Sequence, residues 1–362
     1  MNLKGLNQTL HRIVHWSSTD VTPHSEPTRA LAGERDLYEV STWEPRTRLD
    51  GAAMHVEAFL REYWKLVVVA LLSLLVAISF VVSSVVILFV PGIIRYTLLS
   101  VLAAIAITVY LWYAFVSPQL PIKPLVVTFG LGIFASVMAG VWNTTFRPLA
   151  AIPVVGTLLL MFLIAAPGEE VAKLLAVRLY AYTDDRLFAR VVDGAVYGAV
   201  AGLAFAASEN FGYIVQEAIS SLRFGPFMDP TAALGDVAVE RALSAPGHVI
   251  YSAFAGYYLG LARFNREHAS AIVVKGLLVV VLVHATFNVF VVGTLPALLG
   301  VGDLGASVLT ILYDGALGYI LYRKLARYRD AYRTATDRGR SPPTTPDSGY
   351  PPSVPPETVP RD

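Results

Sequence analysis

The chain has 362 residues, of which 55% are hydrophobic and 15% charged, with a formal net charge of +1. A soluble domain carries about 25% charged residues, so a chain with mean hydropathy +0.57 lacks the polar surface to coat a large water-soluble globule. The near-zero net charge argues against nucleic acid as a partner, and the lack of cysteine removes disulfides, thiolate metal sites, cysteine nucleophiles and iron–sulfur clusters.

Residues 1–62 mix charge, proline and short apolar stretches, and are expected to form an N-terminal cytoplasmic segment. The first long apolar run, Trp64–Val90, is long enough to cross about 30 Å of hydrocarbon as a helix. It starts too far from Met1 for a signal peptide. Further runs follow near 94–116, 124–146, 152–182, 192–216, 242–262, 272–293 and 304–322. They predict an all-α fold, a polytopic transmembrane helical bundle of about eight crossings with its membrane domain over 63–323.

With the N-terminus in the cytoplasm, Lys123, Arg186, Arg190, Arg263, Arg266 and the run from Arg323 to Arg329 fall inside. Outside lie Arg95, Arg147, Arg223 and Arg241, and the loop 294–303 has no Lys or Arg. The positive-inside rule therefore places both termini in the cytoplasm. Residues 324–362 are expected to be a disordered cytoplasmic tail, proline-rich from 341 onward. The sequence has no repeat of fixed period and no Gly-rich phosphate loop.

Ionisable residues inside apolar runs are expensive and mark function. They concentrate in four places: Gly168-Glu169-Glu170-Val171-Ala172-Lys173; Asp193-Gly194 followed by Phe205 and Ser208-Glu209-Asn210; Arg241 with His248 and Ser252; and His284 with Asn288. Glu169 and Lys173, Phe205 and Glu209, and His284 and Asn288 are each spaced i,i+4 and share a helical face. Counting about 1.5 Å per residue puts His284 roughly 18 Å and Glu209 about 25 Å from the cytoplasmic face, with His248 about 9 Å below the outer one. Glu169 reaches the same level if the fourth crossing is framed at 160–182, with Pro167 inside the helix. Taken singly, each group has a plainer reading. A transmembrane His often makes a helix–helix hydrogen bond, and Glu169 with Lys173 can be a structural ion pair. Asp314 receives no role. Tyr110, Trp112 and Tyr113 read as interfacial belt residues.

The set Glu-Glu-x-x-Lys (Glu169, Glu170, Lys173), Phe-x-x-x-Glu-Asn (Phe205, Glu209, Asn210), His248 with Ser252 one turn on, and His-x-x-x-Asn (His284, Asn288) resembles the PrsW-type intramembrane proteases, relatives of the CAAX-prenyl-protease superfamily. Asp193-Gly194, Gly198 and Gly202 fit the same pattern, and the likeness covers roughly 160–293. The wider superfamily has Glu-Glu-x-x-x-Arg and Phe-x-x-x-His, so this chain departs at Lys173 and Glu209. The resemblance implies an endopeptidase of a prokaryotic plasma membrane. Its substrate would be a membrane-anchored protein such as an anti-sigma factor, cut on the extracytoplasmic side.

Two chemistries then fit. In one, Glu209, His248 and His284 hold zinc, leaving a fourth position for water, and Glu169 or Glu170 takes the proton. In the other, no metal is used. Glu169 is the general base, Glu209 or His248 holds the water, and His284 with Asn288 forms the oxyanion hole. Successive carboxylates point about 100° apart on a helix, so Glu169 and Glu170 do different jobs, one of them pairing with Lys173 or with a neighbouring helix. Lys173, Asn210 and Asp193 are expected to orient the site. A proton-coupled transporter or channel would use the same buried acids, and a non-catalytic scaffold would need a missing motif residue.

Overall fold

The computed structural model describes residues 92–116, 120–223 and 231–340 (333–340 by backbone alone), with isolated positions between 46 and 90. The expected segment 1–62 and first crossing Trp64–Val90 lie, but for those isolated positions, outside the described residues, as do residues 341–362.

A chain in hydrocarbon must satisfy each backbone N–H and C=O internally. The long apolar runs are accordingly helical, and no strand occurs among the described residues. In chain order the elements are α1 (Ile93–Phe115), α2 (Ile122–Phe146), α3 (Gly156–Leu159), the π-helical segment π1 (Leu160–Ala165), α4 (Ala166–Arg178), α5 (Val191–Arg223), α6 (Thr231–Phe264), α7 (Ala269–Thr286), π2 (Phe287–Thr294), α8 (Leu295–Leu299) and α9 (Gly302–Arg340). Five stretches, Ile93–Phe115, Ile122–Ala151, Val191–Ser221, Arg266–Leu299 and Gly302–Tyr332, are long and apolar enough to cross a membrane. The protein is an all-α polytopic helical bundle. The other two expected crossings with described residues are helical but more polar. The stretch from α3 through α4 holds Glu169, Glu170 and Lys173, and the crossing region of α6 is rich in Gly, Ser, Tyr and His. Both pack inside the bundle, and α6 is buried without interruption from Gly247 to Tyr257.

The central helix is α5: 83% of its apolar window is buried, against 17% for the peripheral α9. Glycines at every fourth position of α5 bring α6 into backbone contact. A Cβ on Gly198 would stand 2.1 Å from the Ser252 carbonyl oxygen, and one on Gly202 2.2 Å from that of His248. Small residues at such spacing let membrane helices approach closely. The contact fixes the height of His248 against Glu209, about two turns beyond Gly202.

Each helix that carries an acid or imidazole of the cluster from the α4, α6 and α7 runs is irregular beside it. The π1 segment and Pro167 precede Glu169, Pro246 precedes His248, and π2 begins three residues after His284. Such breaks are tolerated in lipid where neighbouring helices cover the backbone.

At the other end of α5, Asp193 accepts the backbone N–H groups of Ala189 and Arg190 at 3.0 and 2.8 Å and pairs with the Arg190 guanidinium at 2.8 Å. It lies about 24 Å along the helix from Glu209, so it caps α5 and orients nothing in the cluster. Arg263 donates to the Tyr182 carbonyl and to Asp185, pinning the α4–α5 loop to the end of α6. In that loop, hydrogen bonds from Arg186 hold the Asp184 carboxyl below its ordinary range.

The last helix runs past the boundary expected at 323. Leu321 and Leu325 are buried in the bundle, and neither proline nor glycine interrupts α9 between Gly318 and Gly339. Residues 324–340 are therefore helix rather than disordered tail.

Candidate active site

The geometry of α4 starts with Ala166-Pro167-Gly168. Proline's fixed φ and missing N–H suit a first helical turn. A Cβ on Gly168 would lie 2.7 Å from the Trp142 ring, so glycine lets α2 close in, and Trp142 Nε1 donates to the Ile164 carbonyl at 3.1 Å. That contact carries the next residue, Asn143, over Glu169, and its Nδ2 donates to Glu169 Oε1 at 2.8 Å. The two glutamates diverge. Glu170, 0% exposed, receives Lys173 Nζ at 2.7 Å and His284 Nδ1 at 2.8 Å on one oxygen, Oε1. Glu169 is 3.9 Å from Lys173. The tight ion pair is thus the i,i+3 pair with Glu170, not the i,i+4 pair that the spacing alone offers to Glu169.

Glu209 projects from α5 toward α6. Its Oε2 lies 3.3 Å from Arg241 Nη2 and 3.3 Å from His248 Nε2. Asn210, fully buried, accepts from Arg241 Nε at 2.8 Å and donates to Ser100 of α1. It therefore positions Arg241, and through it Glu209. Lys173 Nζ lies 3.2 Å from His248 Nδ1. An ammonium has only protons to give, so it makes Nδ1 the acceptor and leaves the Nε2 proton directed at Glu209.

One ligand atom from each of Glu169, Glu209 and His248 lies within 4.8 Å of the others. His284 borders this group: its Nε2 is 3.8 Å from Glu169 Oε2, and its ring centroid is 5.6 Å from that of His248. The expected donor set was Glu209, His248 and His284. The observed group exchanges His284 for Glu169, because depth along a helix sets a residue's height while the angle about the axis decides its neighbours. Asn288 does not share the cluster. Its polar contact is the Met161 sulfur at 4.0 Å. The expected stripe with His284 assumes α-helical turns, whereas π2 starts at Phe287, and wider turns carry a residue four positions on to a different face.

Of two partners, Asn143 escaped the sequence reading, and Arg241 was grouped with His248 but given no role. Asn143 sits in Asn143-Thr144-Thr145 at the end of an apolar run, where it looks like loop polarity. Arg241 stands in an apolar run yet counts equally well as an outside charge. Asp314 now has a partner: Tyr251 donates to its Oδ1 at 2.6 Å, and the Tyr251 ring lies 5.8 Å from that of His284.

The cluster is largely buried and acidic. Glu169 is 6% exposed, His248 7% and His284 3%, whereas the Glu209 side chain keeps 25%, so access runs past Glu209. Three carboxyl groups face two fixed cations, Lys173 and Arg241. Glu169 Oε2 and Glu170 Oε2 are buried without a hydrogen-bond partner among the described residues. An unsatisfied carboxylate oxygen is costly to bury, and a cation is the ligand that removes that cost.

The profile of the PrsW family intramembrane metalloproteases matches residues 120–315, more than half of the chain. The chain is similar to Protease PrsW of Halalkalibacterium halodurans, 29% identical over 131 residues (36% of this chain, 54% of that protein). It is likewise similar to Protease PrsW of Clostridioides difficile, 28% identical over 170 residues (46% and 63%), and of Shouchella clausii, 26% over 128 residues (35% and 52%). The matched part thus spans between 52% and 63% of the length of these relatives. No solved structure matches the chain. Since the matched span runs from the start of α2 into α9 and takes in Asn143, both glutamates of α4, Glu209, Arg241 and both imidazoles, the chain belongs to the PrsW family of intramembrane metalloproteases.

Proposed function

We propose that this protein is an intramembrane endopeptidase that cuts a membrane-anchored regulatory protein, of the anti-sigma-factor kind, in the outer half of a cell membrane with both its termini in the cytoplasm. The observation that carries the proposal is the meeting of Glu169, Glu209 and His248, three ligand atoms within 4.8 Å, in the bundle interior.

Glu169, Glu209 and His248 would hold a divalent ion, zinc by the chemistry of the donors. Two carboxylates and an imidazole leave a fourth position open, as a hydrolytic site requires. When bound, such an ion supplies Lewis acidity and lowers the pKa of water. The chain's own residues do the rest. Asn143 fixes Glu169, and Arg241 with Asn210 fixes Glu209. His248 directs its Nε2 proton at Glu209, so holding an ion through Nε2 would require that proton to shift to Nδ1 and the Lys173 contact there to give way, and a pH low enough to protonate both nitrogens would oppose it. Glu170 receives the Nδ1 proton of His284, which turns the Nε2 lone pair toward Glu169 Oε2 at 3.8 Å. His284 is thereby placed to move a proton between the attacked carbonyl's surroundings and the leaving amine. The roles of Glu169 and His284 are exchanged relative to the sequence expectation, because Glu169 is the group inside the donor triangle. A metal-free route would use Glu169 as base, with Arg241 already balancing Glu209. Proton transport draws on the same acids, but membership of a protease family favours hydrolysis.

The test is cleavage of a single-pass reporter in proteoliposomes holding the full chain. Replacement of Glu169, Glu209 or His248 by Ala should abolish cleavage while the protein still accumulates. Full activity in all three variants would refute the peptidase. Metal content and chelator titration of the same preparation separate the two chemistries, since activity in metal-stripped protein excludes the zinc route.

A further inference from the structure

A concavity lies between α6, α7 and α9, with Tyr251 between it and the acidic cluster. It encloses about 650 Å³ and is open at the surface of the bundle. Its deep end is apolar, walled by Val280, Val283 and Leu317 and closed by the Tyr251 ring. Toward the end of α9 the wall changes to aromatic and basic. Lys324 Nζ lies 4.9 Å from the Tyr257 ring and 5.3 Å from the Tyr258 ring, and Arg323 and Arg327 flank it. Lys275 of α7 adds a fourth positive charge close enough to act on Lys324.

These cations lack the counter-charge that folded proteins normally provide. Among the described residues, none of Lys275, Arg323, Lys324 and Arg327 forms an ion pair with a carboxylate. Arg323 reaches only the Tyr319 hydroxyl, at 2.8 Å. Lys324 is half-buried beside two like charges, an arrangement that a bound anion relieves. The apolar wall is equally informative about length. From Leu317 to Tyr328 the groove, rim included, extends about 16 Å along α9, close to half of a hydrocarbon core about 30 Å thick. A groove of that length with an apolar deep end and a basic, tyrosine-lined rim fits a molecule with an acyl tail and an anionic head.

We propose that this groove is a binding site for an anionic glycerophospholipid, with its phosphate held by Arg323, Lys324 and Arg327 and one acyl chain lying along Leu317 and Val283 as far as Tyr251. The occupant is a lipid rather than a free phosphate because the greater part of the wall is apolar and would otherwise stay uncovered. The groove ends at Tyr251, whose ring lies 5.8 Å from that of His284, but its test reads lipid retention and not cleavage, so it stands or falls independently of the proposed peptidase activity.

The experiment is native mass spectrometry of the full chain released from nanodiscs made of phosphatidylglycerol and phosphatidylcholine in equal amounts. The expected result is one retained phosphatidylglycerol per chain. The triple variant R323Q/K324Q/R327Q should lose the preference by about a hundredfold, as each juxtamembrane cation contributes about a fivefold factor. Leu317→Trp, which keeps the cations but fills the tail slot, should lose retention as well, so the result does not rest on one variant's folding. Equal retention of both lipids by the natural chain, or an unchanged preference in both variants, overturns the proposal. So does a thermal shift produced by sn-glycerol 1-phosphate alone that equals the one given by the whole lipid, since the apolar slot would then contribute nothing. Loss of retention only when a second copy or residues 64–90 fill the groove would show as a protein-occupied site, and likewise overturns it.

Discussion

At the scale of single residues, the cluster is organised by neutral and cationic partners that hold three carboxyl groups apart. Arg241 is the partner whose removal is most informative. Its guanidinium lies 3.3 Å from Glu209 and is itself held by Asn210, so Arg241→Ala frees Glu209 to turn away. Outer-shell partners of this kind are worth 10–100-fold in metal affinity or activity; a loss of about that size is expected here, with partial recovery in Arg241→Lys, read as zinc affinity by competition with a chelating dye. Asn288→Ala, by contrast, should leave cleavage within about twofold, because Asn288 faces Met161 and an isolated polar contact of this kind carries little. Tyr251→Phe strands the buried Asp314, at a stability cost of about 1–3 kcal/mol, measurable as a lower unfolding temperature. Glu169, Glu209, His248 and His284 stood out in the sequence because charge in an apolar run is conspicuous, and the structure brings them near one another. Which three come within ligand distance was not legible, since that depends on angles about helix axes that one sequence does not contain. Asn143 was obscured by its position near a run end, where polarity has an ordinary explanation, while Arg241 stood out beside His248 without showing that Glu209 is its partner.

At the scale of elements, helix type and number of runs follow from run length, but the bounds do not: α6 starts at Thr231, eleven residues before its run at 242–262, and α9 ends at Arg340, eighteen after its run at 304–322. Nor do the π segments. An α-helix and a π-helix share the same apolar composition, and what widens the turn at 160–165 and at 287–294 is packing against neighbouring helices. The consequence is specific: one misplaced turn removed Asn288 from the stripe of His284. The glycine positions of α5 show the reverse case, where a sequence pattern has a direct physical meaning. A Cβ at residue 198 would stand 2.1 Å from a backbone oxygen of α6, and no rotamer change relieves that clash. Gly198→Ala should therefore cost about 1–3 kcal/mol, and Gly198→Leu should separate α5 from α6 and abolish cleavage together with folding. The thermal transition of the first variant and the expression of the second are the measurements. A Gly315→Ala control, where a Cβ meets nothing within 4 Å, should be neutral.

At the scale of the molecule, the bundle carries two features of opposite character, a buried acidic cluster at α4–α5–α6–α7 and a basic-rimmed groove at α6–α7–α9. The proposed orientation sets the acidic cluster in the outer half and the basic rim at the cytoplasmic face. The natural chain has no cysteine, so single-cysteine reporters at Arg266 and at Asp303 give an unambiguous reading. The first should be shielded from a membrane-impermeant maleimide in intact cells, and the second should be labelled. The opposite pattern would invert the topology. That the chain is an all-α helical bundle was open to inference from hydropathy; the arrangement of the acidic cluster and the basic-rimmed groove was not, because it requires knowing which helices are neighbours. The central claim is that Glu169, Glu209 and His248 act as one unit. It is tested most directly by reporter cleavage rates for the three single variants and the triple variant. Residues that share one ion or one water are strongly non-additive. Each single replacement should lower the rate by about a hundredfold or more, and the triple variant should be no slower than the slowest single. Losses that multiply, or one of the three variants that keeps the natural rate, would contradict it.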